Sequence, residues 1–317
     1  MNAKLLSLLA GILSLTAVQE STVPLVDHHY HLFNTTMTQV TPGLTPITAS
    51  DAVRALDRAG VRRAVLLSVA YQFGNPNRPA VPNEYVAVQA ENDRVSREVA
   101  RYPDRLRGFC GVNPLKDYAL AEIARCARNP HLRFGIKLHF GNSDVDLENM
   151  EHRARVREVF RVANASGMAI VVHMRPSVTM RRPYGAAVAR TFLAEILPAA
   201  PDVPVQIAHL TGSGGYDEPG TDEAVGVFAD AIANHDSRMA HVYFDLSGIA
   251  GLGLWQEKAG LIATRIRQLG VDRMLFGSDS GTKAMPGVRE AWAAIRQLPL
   301  TDVEFRTIAG NIAPYMK

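Results

Sequence analysis

From residue 24 onward the chain alternates short β-branched or aliphatic runs with longer amphipathic stretches, and this alternation most constrains its fold. The strand-like runs are Pro24–Leu32, Arg63–Ala70, Leu106–Val112, Phe134–Phe140, Ala169–Met174, Val205–Leu210, Val242–Leu246 and Arg273–Gly277. Helix-like stretches follow at Asp51–Gly60, Asn83–Tyr102, Tyr118–Asn129, Glu151–Gly167, Gly185–Leu197, Asp222–Asn234, Trp255–Gly270 and Val288–Leu298, and Asp302–Tyr315 closes the chain. Such regular repetition argues for a (β/α)8 barrel of the TIM type. A doubly wound open sheet shows the same alternation, but its Gly-x-Gly-x-x-Gly turn after the first strand is absent. Helix-to-strand connections are mostly short, as at Gly60–Arg62 and Gly167–Ala169. Several strand-to-helix connections are long: Phe33–Ser50, Tyr71–Pro82 and Gly141–Met150. Long loops gathered at one end mark a functional face. With no Gly/Ser linker or low-complexity stretch, residues 21–317 read as a single domain.

The first twenty residues differ from the rest. Lys4 precedes an uncharged, Leu-rich run from Leu5 to Ala17, 13 residues long. As a helix it would span about 20 Å, short of the ~30 Å hydrocarbon core. Residues 1–20 therefore read as a secretory signal peptide, which implies export to the periplasm or beyond. Ala17 suits a cleavage site, while Leu15 stands where a small residue is preferred. Without that leader the protein would stay in the cytoplasm.

Across 317 residues, 47% are hydrophobic and 21% charged, which excludes a mostly disordered chain. A net charge of +3 with no Lys/Arg block argues against nucleic acid as a partner. No apolar run reaches the ~18–20 residues of a membrane span. The two cysteines, Cys110 on the third strand and Cys126 on the next helix, could pair only with their Cα atoms within ~7 Å. Strand and helix side chains would both have to face one layer, so two buried thiols are expected.

The chemistry gathers at strand ends. In Val26-Asp27-His28-His29-Tyr30-His31-Leu32, alternate residues share a face, so His29 and His31 point the same way. Their Cα atoms would lie about 6.6 Å apart, which lets both imidazoles reach one ion at ~2.0–2.1 Å. On this pattern Asp27 lies deeper on the same face and supports the pair by hydrogen bonding, while His28 faces the helices. The fifth strand ends at His173, the sixth at His209 and the eighth at Ser278-Asp279. In a barrel these ends ring one opening, and burying five such groups without a purpose would be costly. Lys137 and His139 share a face of the fourth strand. Arg175, two residues beyond His173, is a candidate for a substrate carboxylate. Asp144 and Asp146 read as solvated loop acids, and Thr211-Gly212-Ser213-Gly214-Gly215 as a mobile loop, since it lacks the Gly-Lys-Ser/Thr ending of a phosphate loop.

Asp27-His28-His29-Tyr30-His31-Leu32-Phe33, Gly135-Ile136-Lys137-Leu138-His139, Val171-Val172-His173, Ala208-His209-Leu210 and Leu275-Phe276-Gly277-Ser278-Asp279 span most of the chain. Together they resemble the amidohydrolase superfamily, most closely the amidohydrolase-related branch that holds aminocarboxymuconate-semialdehyde decarboxylase-like enzymes, lactonases and other hydrolases. The resemblance implies a distorted barrel with one divalent ion, usually Zn²⁺, held by His29, His31, His173 and Asp279. It also implies that His209 contacts substrate or metal-bound water. Mn²⁺, Fe²⁺ or Co²⁺ would also suit such donors. A bound ion lowers the pKa of water towards ~7; Asp279 can orient that water or take its proton, and His209 can polarise a carbonyl. The leading expectation is hydrolysis of an amide, ester or lactone in a small molecule. Decarboxylation at the same site is the alternative, and an inactive binding barrel a third reading that the intact polar set disfavours. Lys137, His139 and Arg175 are the expected substrate contacts. Binuclear members carboxylate a fourth-strand lysine to bridge two metals; the one-metal branch does not require it, and Lys137 reads as an unmodified lysine. Branch members often form dimers, so the resemblance also allows a homodimer.

Overall fold

The strand-like runs become the staves of a barrel in a computed structural model that describes residues 22–40, 44–216, 219–249, 255–281 and 287–317. The strands are β1 Val26–Tyr30, β2 Arg63–Leu67, β3 Leu106–Gly111, β4 Gly135–His139, β5 Ala169–His173, β6 Val205–Ile207, β7 Val242–Asp245 and β8 Met274–Leu275. They pair in sequence order, all parallel. The leader lies outside the described residues, as do residues 41–43 of the loop after β1. Among the described residues no helix is long and apolar enough to cross a membrane.

Local chemistry explains the helical layer. The helix Ala49–Ala59 starts at Thr48, whose hydroxyl accepts from the Asp51 N–H while the Asp51 carboxylate accepts from the Thr48 N–H. It stops at Gly60, where φ is +74° and a side chain would be strained. Ala49, Ala52 and Leu56 form its buried stripe. The expected helix Gly185–Leu197 is regular only over Ala186–Thr191, then widens into a π-turn and tightens to a 3₁₀ turn at Leu197–Ala199. Pro198 lacks the N–H that an α-helix would use there.

Apolar residues form two layers. The larger cluster lies between the sheet and its helices, while Val26, Val65, Leu67, Phe109, Ala169, Val171 and Met316 fill the barrel's interior. The C-terminal segment closes the floor: Tyr315 packs edge-on against Phe109, and Arg63 donates to the Met316 carbonyl at 2.6 Å.

Strict alternation fails on β1. A bulge puts one extra residue between Asp27 and Tyr30 relative to β2. His28 consequently meets the floor instead of the helices. Its Nδ1 lies 3.0 Å from the Phe276 carbonyl, its Nε2 accepts from the Ala313 N–H, and its ring packs edge-on to Tyr315. Asp27 comes into register with Ala64, which packs in the outer layer, so it does not share the face of His29 as alternation implied. Its supporting role stands: it accepts from the Ser278 N–H, the Ser278 hydroxyl and the His29 N–H.

The barrel closes through residues that follow β8. His28 N–H donates to the Phe276 carbonyl at 2.8 Å, Asp279 N–H to the His29 carbonyl at 2.8 Å, and His31 N–H to the Ser280 carbonyl at 3.0 Å. This seam needs Gly277, since a Cβ there would sit 2.7 Å from the Cβ of His29.

The expectation of two free thiols is corrected. Cys110 and Cys126 form a disulfide with Cα atoms 6.2 Å apart. Phe109 points into the barrel, so Cys110 points out into the same layer that receives the inner face of the helix Ala119–Ala127. Replacing both cysteines by alanine should lower the unfolding free energy by about 3 kcal/mol, the entropy expected of a loop this short. Urea melts without reductant would read the change, and coincident curves would refute the bond's contribution.

Candidate metal centre

The seam brings three donors together. His29 Nε2 and His31 Nε2 are 3.2 Å apart, and Asp279 Oδ1 lies 3.5 Å from the first and 3.4 Å from the second. Each imidazole is oriented from behind. His29 Nδ1 is 3.0 Å from Asp245 Oδ2, and His31 Nδ1 is 2.8 Å from the Leu67 carbonyl. Both acceptors demand a proton on Nδ1, which leaves a lone pair on each Nε2. Two lone pairs facing each other beside a carboxylate are unfavourable unless a cation lies among them. The donor chemistry therefore fits a divalent ion.

Electrostatics agree. Burial, reinforced by the charge of Lys137, pushes the pKa of His29 down to about 3, so the ring is neutral at working pH. Burial alone would raise Asp279, but His31, His29 and His209 hold its carboxyl well below the usual range. Asp245 is held low in the same way, chiefly by His29 and His209 against the effect of burial. Lys137 is buried with its Nζ 3.2 Å from His29 Nε2, and burial brings its pKa down to about 8. Two carboxylates, those of Asp245 and Asp279, thus act on one ammonium.

Asp245, at the end of β7, was given no role on sequence, yet it organises the centre. Besides His29, it accepts from Gln206 Nε2 at 2.6 Å, from the N–H groups of His209 and Ser247, and from the Ser247 hydroxyl at 2.5 Å. Gln206 in turn accepts from the Tyr315 hydroxyl, so the floor of the barrel connects to His29 through three side chains. The missed signals were an acid closing a strand and a glutamine inside the apolar run Val205-Gln206-Ile207. His29, His209 and Asp245 are also spaced for an ion. However, Ser247 Oγ lies 3.1 and 2.9 Å from the two Nδ1 atoms, and hydrogen bonds already use them. A third group, Cys110, Glu122 and Cys126, has its sulfurs in the disulfide.

The remaining candidates separate by position. His209 follows β6 with φ of +56°, and Leu210 and Thr211 are also left-handed. Such strain costs of order 1–3 kcal/mol per residue, and Asp279 shares it at φ +53°. The His209 ring is set by the Ser247 carbonyl, 2.8 Å from Nδ1, and stands 4.8 Å from the His29 ring. His173 is in register with His139 and stacks on it at 3.8 Å, and its ring meets that of His209 edge-on at 4.9 Å. It belongs to neither donor trio. His139 Nδ1 accepts from the Asn142 N–H, which places the ring proton on Nε2.

His139 and His173 line a cleft of about 710 Å³, together with Asn75, Arg78, Asn142 and Ser177 among others. Arg175 does not line it; its guanidinium lies over the Tyr184 ring, 4.7 Å from the centroid. Asp144 and Asp146 both pair with Arg182. Thr211, in the loop expected to be mobile, is buried, and its carbonyl accepts from the Tyr184 hydroxyl at 2.5 Å. A second cleft of about 730 Å³ opens near the N-terminal ends of the strands beside Arg62, Arg63 and Arg105, with no histidine in its wall. That end of a barrel serves stability.

A model of the family described as amidohydrolase matches residues 26–311. No curated protein matches the chain. Among solved structures, a 5-carboxyvanillate decarboxylase from Sphingomonas paucimobilis is 17% identical, with 91% of this chain and 97% of that one covered at a TM-score of 0.62. A dihydroxybenzoic acid decarboxylase from Polaromonas sp. JS666, with bound manganese and the inhibitor 2-nitroresorcinol, is 15% identical over 91% and 95% of the chains, with a TM-score of 0.60. A probable 2-pyrone-4,6-dicarboxylic acid hydrolase from Acinetobacter baumannii, with citric acid bound, is 16% identical over 90% and 96%, with a TM-score of 0.58. These likenesses establish the barrel fold.

Changing Asp245→Asn should leave the fold intact and weaken divalent-ion affinity by about 10–100-fold, because His29 loses its orienting acceptor. Competition against a fluorescent chelator measures this, and an unchanged affinity would remove Asp245 from the centre.

Proposed function

This chain belongs to the amidohydrolase family, and on that premise we propose that it is a metal-dependent decarboxylase of a small carboxylic acid. The observation that carries this reading is the converging trio of His29, His31 and Asp279, together with a cleft whose described lining residues include Arg78 and no Asp or Glu. Two of the similar structures are decarboxylases of aromatic acids. The hydrolase among them supports ester or lactone hydrolysis as the second reading. Names of all three denote carboxylic acids, which suits a cleft with no carboxylate among its described lining residues.

In this proposal His29, His31 and Asp279 would hold one divalent ion, and His173, outside that trio, would complete the set that the family resemblance implies; Zn²⁺ is expected first, and Mn²⁺ also suits these donors. When bound, it would act as a Lewis acid that polarises the substrate's oxygens. The chain's own residues do the rest. Asp245 and the Leu67 carbonyl keep the two first-strand imidazoles in the tautomer that presents Nε2. His209, set by Ser247 and Asp245, carries a proton to or from the reacting group. Asp279 shares that task. His139 donates from Nε2 to the bound acid, and Lys137 adds a positive charge beneath it. Arg175, over Tyr184, backs the wall formed by Pro176 and Ser177. The disulfide supports export, since such bonds persist in oxidising compartments.

Purified protein loaded with Zn²⁺ or Mn²⁺ should release CO₂ from a panel of hydroxybenzoates and carboxyvanillates, and EDTA should abolish release. His29→Ala should lose the ion, while His209→Ala should keep it and lower kcat by about 10²-fold or more. Lactone opening without CO₂ would transfer the assignment to hydrolysis. Failure to take up any divalent ion would reject both readings.

A further inference from the structure

Val205 and Ile207 of β6 pack in the outer layer, so Gln206 between them points into the barrel, in register with Val171 of the apolar interior. It is fully buried, and an amide in such surroundings is costly unless both of its ends are bonded. Here both are. Nε2 lies 2.6 Å from Asp245 Oδ2 and 3.3 Å from the His28 carbonyl. An ionised carboxylate and a carbonyl only accept, so the amide NH₂ must occupy that side. Oε1 is then turned to the Tyr315 hydroxyl, which must be the donor. Burial and the Asp245 charge push the pKa of Tyr315 well up, so the phenol keeps the proton it shares.

Tyr315 is itself held in place. It belongs to the 3₁₀ turn Pro314–Met316, in a segment tied across the floor at three points. Asn311 donates to the Val271 and Met274 carbonyls at 2.9 and 2.7 Å, Ala313 N–H to His28 Nε2 at 3.3 Å, and Arg63 to the Met316 carbonyl. The Tyr315 ring packs edge-on against both Phe109 and His28. At the far end of the series, Asp245 Oδ1 receives Ser247 and the His209 N–H, while Oδ2 receives His29 Nδ1 and Gln206 Nε2. Without Gln206, Oδ2 would be restrained by the His29 ring alone, the group it has to orient.

We propose that Gln206 and Tyr315 are positioning residues for the metal centre. Tyr315 fixes the Gln206 amide, the amide fixes Asp245 Oδ2, and that oxygen holds the His29 ring with its proton on Nδ1 and Nε2 free for an ion. The strap beneath the barrel thereby sets ion affinity at the opposite mouth. The inference rests on the reading that His29, His31 and Asp279 hold a divalent ion.

The test compares full-length wild type with Gln206→Met, Tyr315→Phe and the double variant. Both substitutions keep side-chain bulk, and melting temperatures identify any variant that has lost its fold. Zn²⁺ affinity is read by competition against a fluorescent chelator. Gln206→Met should weaken it about tenfold and Tyr315→Phe about three- to fivefold, since an outer partner of a metal-bound histidine is worth about 10–100-fold. Because Tyr315 acts through Gln206, the double variant should match Gln206→Met to within about twofold. Independent weakening, in which the two single effects multiply, would show a merely structural role for Tyr315 and overturn the relay. So would wild-type affinity in either single variant. Long-range ¹H–¹⁵N spectra of the imidazoles in metal-free protein, with the His29 signal identified by its loss in His29→Gln, supply a second readout. Wild type should show His29 protonated on Nδ1 alone, and Gln206→Met a mixture of tautomers; identical spectra would also overturn the relay. Should wild type take up no ion while those spectra differ as expected, the metal reading fails and the positioning of His29 stands.

Discussion

The centre depends on one buried carboxylate. Asp245 accepts hydrogen bonds from side chains or backbone of His29, Gln206, His209 and Ser247, and so joins β1, β6 and β7 at one point. A charge in this position would be intolerable without partners. Supplied with them, it decides which nitrogen of His29 carries the proton and therefore which one can bind an ion. The same carboxylate holds His209 in a left-handed backbone conformation that its sequence would not favour.

The second constraint is the seam. Eight strands make a sheet with two edges, and only backbone bonds between β1 and the residues after β8 turn it into a barrel. Those bonds run between residues 28–31 and 276–280, the segments that carry His29, His31 and Asp279. Closure and donor geometry are thus one event. Gly277 permits both by letting the two backbones approach. The bulge on β1 adjusts the phase so that His28 can anchor the C-terminal floor while His29 and His31 face the opening.

Much of this was legible before any coordinates. The (β/α)8 pattern located every strand to within a few residues, because alternating buried runs leave few other ways to pair. His29, His31 and Asp279 announced themselves as polar groups ending apolar strands, and they do converge. Asp245 ended a strand too, but Val242-Tyr243-Phe244-Asp245 was not among the segments that carried the family resemblance. His173 shows the converse: its strand end was visible, whereas its stack on His139 depends on the register of β4 with β5. Arg175 was singled out and Arg78 was not, because a loop's course decides which guanidinium lines the cleft.

By itself the sequence determined the periodicities, and with them the barrel, the end that carries chemistry and the residue types able to hold an ion. Tertiary structure decided what periodicity does not encode. A single inserted residue reversed the facing of Asp27 and His28, since side-chain direction in a strand flips with every residue. Pairing of Cys110 with Cys126 depended on whether a strand and a helix turned their sulfurs into one layer, at a Cα separation of 6.2 Å. Protonation of His29 and orientation of His209 depended on an acid 216 residues from the first and 36 from the second, brought close only by strand pairing and closure of the sheet. Local pattern sets which way a chain can fold; contacts between distant segments set which atoms meet.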